Sequence, residues 1–79
     1  MTRTDMLERF QSVLEAMGIH KIVGEDTDLR MELGLESLDF VNLVMNASII
    51  FDVKLSPAET VNAETVGEFL SVIETKLPH

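Results

Sequence analysis

The segment from Ser37 to Phe51 constrains the fold more than any other part of the chain. It opens with serine, a preferred helix N-cap, has Asp39 in the first turn, and continues to Phe51 without a helix breaker. After Asp39 it has no charged residue until Asp52, and apolar residues cover almost every side of the predicted helix. Such a helix is either central to a domain or partly covered by a partner.

Weaker helical patterns flank this central helix. An amphipathic helix is predicted from Thr4, with a stop at Gly18. Ser56 to Glu59 form a capping box with proline at the first helical position, which predicts a helix of one or two turns, and Thr65 opens a last helix. The sequence therefore predicts an all-α fold, a small four-helix bundle with three longer helices and a short third one, in a single domain of residues 1–79. The apolar stripes are Met6, Leu7, Phe10, Val13, Leu14 and Met17 in the first helix, and Val66, Phe69, Leu70, Ile73 and Leu77 in the last.

A long loop is predicted between helices one and two, over residues 18–36. It contains three glycines and several acids, and loops of this length inside a compact domain are uncommon and usually functional. Scattered apolar residues are expected to anchor it to the core: Ile19, Ile22, Val23, Leu29, Met31, Leu33 and Leu35.

Charge and composition exclude several classes of function. Six basic and fourteen acidic residues give the 79-residue chain a formal charge of −8, which repels nucleic acids and anionic membrane surfaces and favours basic partners. The absence of cysteine excludes a disulfide framework and a thiolate nucleophile. No signal peptide is visible, and the uncharged run 40–51 is too short to cross a bilayer. We therefore expect a freestanding cytoplasmic protein.

The sequence offers little for catalysis or metal binding. A calcium loop aligned on Asp26 and Asp28 would need glycine where Met31 stands, so the alignment fails. The surroundings of Ser37 do not match the G-x-S-x-G motif of serine hydrolases. The two histidines are interpreted as an ordinary loop side chain, His20, and a disordered terminus, His79.

Ser37 itself has more than one interpretation. As a plain N-cap it would stabilise the central helix by about 1 kcal/mol. Its hydroxyl could instead be chemically modified, because it follows a glycine-containing loop and opens the central helix. Phosphorylation, suggested by the acidic neighbours Glu36 and Asp39, is a weaker alternative.

The residues around Ser37 resemble a known family. The run Asp28-Leu29, Glu32 to Asp39, Val41, Leu43 to Met45 and Phe51-Asp52 is similar to the acyl carrier proteins of fatty acid and polyketide synthesis, and the similarity continues through the short third helix to Thr65-Val66. The family motif is Asp-Ser-Leu, whereas this chain has Glu36-Ser37-Leu38, a conservative departure.

The resemblance implies a function and a cofactor. Ser37 would carry 4'-phosphopantetheine, attached by a separate phosphopantetheinyl transferase from coenzyme A, and the thiol of that group would hold acyl intermediates as thioesters. The chain would then be an acyl carrier and not an enzyme. Its partners would be the transferase and the acyl-loading and acyl-transferring enzymes, and a monomer is expected.

The chain departs from the family along the second helix, where typical members carry several acids. Here Asn42, Ser48, Ile49 and Ile50 take those positions, and the acids lie upstream. We therefore expect a specialised carrier outside general fatty acid synthesis. Its partners would meet the serine end through charge and the helix through apolar contact, with the docking surface Glu36, Leu38, Asp39, Val41, Met45 and Ile49. An equally weighted alternative has Ile49 and Ile50 packed inward. The acids expected around the serine are Glu25, Asp26, Asp28, Glu32, Glu36 and Asp39.

Two further questions stay open at the level of sequence. The bundle interior could shelter an acyl chain, although the residues concerned also suit a plain core: Phe40, Leu43, Ala47, Phe51, Leu55, Val61 and Phe69. The competing function is an unmodified helical interaction module in which Ser37 is only a cap. A small acid-rich hydrolase is a more distant alternative.

Overall fold

Four helices make up the fold in the computed structural model, which describes residues 1–78. They are α1 (Arg3–Ala16), α2 (Ser37–Phe51), α3 (Pro57–Thr60) and α4 (Val66–Glu74). Within residues 1–78 the only β-type pairing is an isolated bridge between Asp28 and Thr65. The all-α prediction, with a short third helix and a long loop after the first, is confirmed. The expectation for His79 lies outside the described residues.

The start of α1 lies slightly earlier than the predicted Thr4. Thr2 is the N-cap, and its hydroxyl accepts a hydrogen bond from the Asp5 N–H at 3.1 Å. The Asp5 carboxylate accepts one from the Thr2 N–H at 3.2 Å in return. This reciprocal pair satisfies two amides that a helix terminus leaves without partners, and it therefore fixes where α1 begins.

The capping predictions for the two later helices are confirmed. Ser56 Oγ accepts from the Glu59 N–H at 3.4 Å and Thr65 Oγ1 from the Glu68 N–H at 3.1 Å. Helix α4 nevertheless ends at Glu74, so Leu77 packs against the core from beyond the helix.

The core is a column of aromatic rings enclosed by the helices. Helix α1 packs against α2 and α4, and α3 packs against α2 and α4 from the other side. Phe69 is at the centre of the column, with ring centroids 5.5 Å from Phe10 and 6.1 Å from Phe40, both in edge-on geometry. Burial of these large rings supplies much of the apolar area that a chain of this size can remove from water.

The long loop is fixed to the core by fewer residues than predicted. Val23, Leu29 and Leu35 are buried, and Ile19 and Leu33 pack against the core. The Leu29 N–H also donates to the Glu64 carbonyl at 2.8 Å. These contacts hold the loop against the start of α4.

Two of the predicted anchors are wrong, because Ile22 is 96% exposed and Met31 is 87% exposed. Val23, the neighbour of Ile22, takes the inward position instead and is only 7% exposed. Met31 follows a turn in which the Asp28 carboxylate accepts from the N–H groups of Arg30 and Met31 at 2.9 and 2.7 Å. This turn leaves Met31 on the outside.

No helix in residues 1–78 has both the length and the apolar content needed to span a membrane.

Candidate functional site

Ser37 is the first residue of α2 and not its N-cap, which corrects the sequence-based assignment. Glu36 occupies the N-cap position with extended backbone angles, φ −99° and ψ 177°. Its N–H donates to the Asp39 carboxylate at 3.1 Å. Because Asp39 reaches back to the cap residue, the helix start is ordered without any contribution from the Ser37 hydroxyl.

The Ser37 hydroxyl differs from the other four serine hydroxyls of the chain. Each of those takes part in a hydrogen bond: Ser12 donates to the Glu8 carbonyl, Ser48 to the Val44 carbonyl, Ser71 to the Gly67 carbonyl, and Ser56 accepts as a cap. Ser37 is exposed, and no residue in the described part of the chain accepts from or donates to its hydroxyl. Among the serines, the fold therefore leaves only the Ser37 hydroxyl free for chemistry.

The backbone around Ser37 favours an anion, whereas the nearby side chains are acidic. Ser37 opens a helix of 15 residues, whose first N–H groups and dipole give that end partial positive charge. Glu36 is exposed beside it and Asp39 is half-buried. An anionic group bound covalently would gain from the helix terminus, and the two carboxylates would attract a basic partner.

The loop acids that were expected around Ser37 are more ordered than the sequence indicates. Glu25 is not a free acid of the loop, because Arg3 donates to its carboxylate at 2.8 Å. This hydrogen bond holds the pKa of Glu25 below its ordinary value. The Glu32 carboxylate accepts from the Asp28 N–H at 2.6 Å, so these two acids are bound within the loop.

The two cations of the loop bind carbonyl oxygens. Lys21 Nζ donates to the Glu32 carbonyl at 3.0 Å. The Arg30 guanidinium donates to the carbonyls of Val61 and Ala63 at 3.2 and 3.4 Å. It also lies over the Phe40 ring, 5.1 Å from its centroid. The negative charge of the loop is therefore not neutralised by direct ion pairs with these cations.

An uncharged apolar stripe follows Ser37 along the outer face of α2. Leu38 is 74% exposed, Met45 58% and Ile49 77%, and Val41 is exposed to a smaller degree. Ile49 faces outward whereas Ile50 packs against the core, so the alternative in which both isoleucines turn inward is wrong. The four apolar residues of the predicted docking surface are therefore accessible. Their contact with a partner stays a prediction.

The residues named as possible lining for an acyl chain form the core. Phe40, Leu43, Ala47, Phe51 and Phe69 are buried, and Leu55 packs against them. Val61 is wrong as a lining residue, because it follows α3 and is 52% exposed. None of the five buried side chains is more than 7% exposed.

A groove that sequence reasoning missed lies on another side of α2. It has a volume of about 340 Å³ and runs between the end of α1, the loop and α2. The signal that could have found it is a polar stripe at helical spacing, Asp39, Asn42 and Asn46. On a helix of 3.6 residues per turn this stripe and Ser37 lie on nearly opposite sides of α2.

Metal and acid–base chemistry find no support in the described residues. Residues 1–78 bring together no group of three or more potential metal ligands. His20 is exposed, and its Nδ1 lies 2.7 Å from a carboxylate oxygen of Glu15 on the surface. This agrees with the interpretation of His20 as an ordinary loop side chain.

Comparisons with known proteins assign the region around Ser37 to a family. Residues 5–73 match the family described as "Phosphopantetheine attachment site". An acyl carrier protein of Thermotoga maritima is 36% identical over 78 residues, which is 96% of both chains. An acyl carrier protein of Saccharopolyspora erythraea is 34% identical over 74 residues, covering 91% of this chain and 78% of the relative.

Proposed function

The chain belongs to the acyl carrier protein family, and on that premise we propose that Ser37 is the residue to which its prosthetic group is attached. Members of this family hold 4'-phosphopantetheine covalently and act as carriers, not as enzymes, and both statements apply to this chain. The observation that carries the proposal is the free hydroxyl of Ser37. It is exposed at the start of α2, whereas every other serine hydroxyl is used within the fold.

The surroundings of Ser37 fit a phosphodiester. Attachment there needs no existing hydrogen bond to be broken, because α2 is capped through Glu36 and Asp39. The negative charge of the phosphodiester would lie by the N-terminus of a 15-residue helix, which favours it by a few tenths to about 1 kcal/mol. The absence of cysteine means that the thiol of the prosthetic group would have no competitor from the protein.

In the attachment reaction the chain itself would supply only the Ser37 hydroxyl. A phosphopantetheinyl transferase would direct Ser37 Oγ onto the β-phosphorus of coenzyme A. The hydroxyl proton would leave, the new P–O bond would form, and the bond to the bridging oxygen would break, releasing adenosine 3',5'-bisphosphate. When bound, the group supplies a thiol that holds acyl groups as thioesters.

The partner surface proposed here combines charge and apolar contact. As a family member the chain interacts with a phosphopantetheinyl transferase and with acyl-handling enzymes. We assign their contact to Glu36 and Asp39 at the serine end, and to the apolar stripe of Leu38, Val41, Met45 and Ile49 beyond it. The exposure of the stripe supports this assignment. A partner would then need basic groups next to an apolar patch.

The apolar stripe also indicates which kind of pathway the carrier serves. We propose a specialised carrier, working as a cytoplasmic monomer in a dedicated lipid or polyketide pathway and not in general fatty acid synthesis. The support is that α2 has no charged residue between Asp39 and Asp52. Partner enzymes that select carriers by acidic residues along the whole helix would therefore not recognise this one.

Intact-mass spectrometry tests the attachment. Purified apo-protein is incubated with coenzyme A, Mg²⁺ and a broad-specificity phosphopantetheinyl transferase, alongside Ser37→Ala and the matched control Ser56→Ala. We expect wild type and Ser56→Ala to gain one phosphopantetheine and Ser37→Ala to gain none. A folded wild-type apo-protein that gains nothing would favour the unmodified interaction module, and equal gain by Ser37→Ala would place the group elsewhere.

A further inference from the structure

Phe40 is the first buried residue of α2 after Ser37. The two residues are three apart on α2 and therefore neighbours on the helix surface. The Phe40 ring is buried, contacts Phe69 edge-on, and Phe69 contacts Phe10 in the same way. An apolar chain attached at Ser37 would thus reach the aromatic column of the core first at Phe40.

The Arg30 side chain lies over the Phe40 ring at this point. Its guanidinium lies 5.1 Å from the Phe40 centroid and donates to the carbonyls of Val61 and Ala63. Arg30 therefore spans from the long loop, over Phe40, to the connection between α3 and α4. Its contacts are individually weak: cation–π attraction at an exposed site, and hydrogen bonds at 3.2 and 3.4 Å.

The two segments that Arg30 connects, the long loop and the connection between α3 and α4, are also joined by backbone hydrogen bonds. The Leu29 N–H donates to the Glu64 carbonyl at 2.8 Å and the Val66 N–H to the Thr27 carbonyl at 2.9 Å. Both bonds join the loop to the α4 end of the connection between α3 and α4. At the α3 end of that connection, Val61 directly follows a helix of only four residues and is 52% exposed. The contact between Arg30 and the Val61 carbonyl therefore lies at the less buried end of the connection.

We propose that Arg30 is a gate residue that sets how readily an acyl chain on the prosthetic group enters the interior of the bundle. The proposal rests on the proposed function, because it needs a cargo attached near Ser37. An entering chain must displace the guanidinium from Phe40 and from the Val61 carbonyl. A long apolar chain offsets that cost because each CH₂ that it buries leaves water, whereas an acetyl group has too few carbons to do so. Arg30 thereby discriminates between cargoes by apolar length.

The test measures how well the protein shelters the thioester. Holo-protein is loaded with acetyl or octanoyl groups, and the rate of thioester cleavage by hydroxylamine is measured for each. The protection ratio is the acetyl rate divided by the octanoyl rate. Arg30→Met keeps an apolar side chain against Phe40 but removes the charge and both donors. We expect it to raise the protection ratio about threefold, the size of one exposed cation–π contact.

Two further variants separate a gate from a general effect of charge or stability. Arg9→Met removes an exposed arginine that makes only a 3.5 Å contact with the Ile50 carbonyl, and we expect the wild-type ratio. Arg30→Lys keeps the charge but loses the planar donors, and an intermediate ratio is expected. A purely structural role for Arg30 would alter acetyl and octanoyl rates in parallel and leave their ratio unchanged.

The gate and the proposed function fail in different ways. An Arg30→Met protein that loads both acyl groups and shows an unchanged or lower ratio overturns the gate alone. A wild-type protein that takes up no phosphopantetheine overturns the carrier site and the gate together. If Arg30→Met were unfolded by circular dichroism, the comparison of wild type with Arg30→Lys would decide, and equal ratios there would overturn the gate.

Discussion

Ser37 is a helix-start serine whose hydroxyl the helix does not use. An N-cap serine accepts from the amide two or three residues ahead, as Ser56 does from Glu59. At the start of α2 the Glu36 N–H instead donates to the Asp39 carboxylate, one position before Ser37. The side chain of Ser37 is therefore released from a structural role, which leaves its exposed hydroxyl available to an enzyme that must reach it.

This gives a stability prediction that separates Ser37 from the true caps. Ser37→Ala should change the free energy of unfolding by less than about 0.5 kcal/mol, as surface substitutions do. Thr65→Ala should cost about 1 kcal/mol, because it removes the hydrogen bond to the Glu68 amide that caps α4. Urea unfolding followed by circular dichroism measures both. Equal losses in the two variants would mean that Ser37 is a cap after all.

At the level of the element, α2 divides into an inner and an outer face that its sequence does not distinguish. With no charge between Asp39 and Asp52, periodicity alone leaves the orientation of neighbouring isoleucines open. Packing determines the orientation of the two isoleucines, since Ile50 contacts the core and Ile49 is 77% exposed. Exposed apolar residues in a row are costly for a free protein and typical of a binding surface.

The neighbouring isoleucines provide a matched pair of variants. Ile49→Glu should leave the free energy of unfolding within about 0.5 kcal/mol of wild type but lower kcat/KM of a broad-specificity phosphopantetheinyl transferase about fivefold or more. Ile50→Glu should cost about 1–3 kcal/mol, because it puts a charge against the core. If Ile49→Glu destabilised the fold and left kcat/KM unchanged, α2 would not dock partners through this face.

Across the whole molecule, few favourable ion pairs offset the charge of −8. Arg3 connects three parts of the chain by binding Glu25 of the loop, the Gly67 carbonyl and Ser71 of α4. Lys76 pairs with Glu59 of α3. The hydrogen bond from Arg3 lowers the pKa of Glu25, and the hydrogen bond from Lys76 lowers the pKa of Glu59. The packing of the four helices therefore depends partly on two ionised carboxylates.

The pH dependence of stability follows from these two carboxylates. A glutamate with a lowered folded pKa contributes stability that is full above its ordinary value of 4.5 and is lost as the pH falls through the folded pKa. Arg3→Met removes the partner of Glu25, so the variant should be less stable than wild type at pH 7, and the difference should shrink as the pH falls below 4.5. Urea midpoints at pH 7, 4.5 and 3 measure this. A difference that stays constant with pH would rule out the ion pair as its cause.

Features that depend on neighbouring residues could be predicted from the sequence, and features that depend on distant contacts could not. Helix order and the caps at Ser56 and Thr65 could be predicted, because local hydrogen-bonding patterns and periodicity determine them. The family was identified in a different way, from the resemblance of the residues around Ser37 to known carriers. The exposure of Ile22 and Met31 could not be predicted, because a loop has no regular period from which buried and exposed positions can be told apart. The bridging position of Arg30 was also hidden, because it depends on contacts with residues more than thirty positions away.

Peptide-level tandem mass spectrometry of the holo-protein tests the central claim most directly. Trypsin cleaves after Arg30 and Lys54, so one peptide, 31–54, contains both Ser37 and Ser48, and its fragment ions distinguish them. We predict that phosphopantetheine is found on Ser37 alone, while Ser48, whose hydroxyl is bound to the Val44 carbonyl, is unmodified. Phosphopantetheine on Ser48, or on a peptide outside 31–54, would contradict the assignment of the carrier site to Ser37.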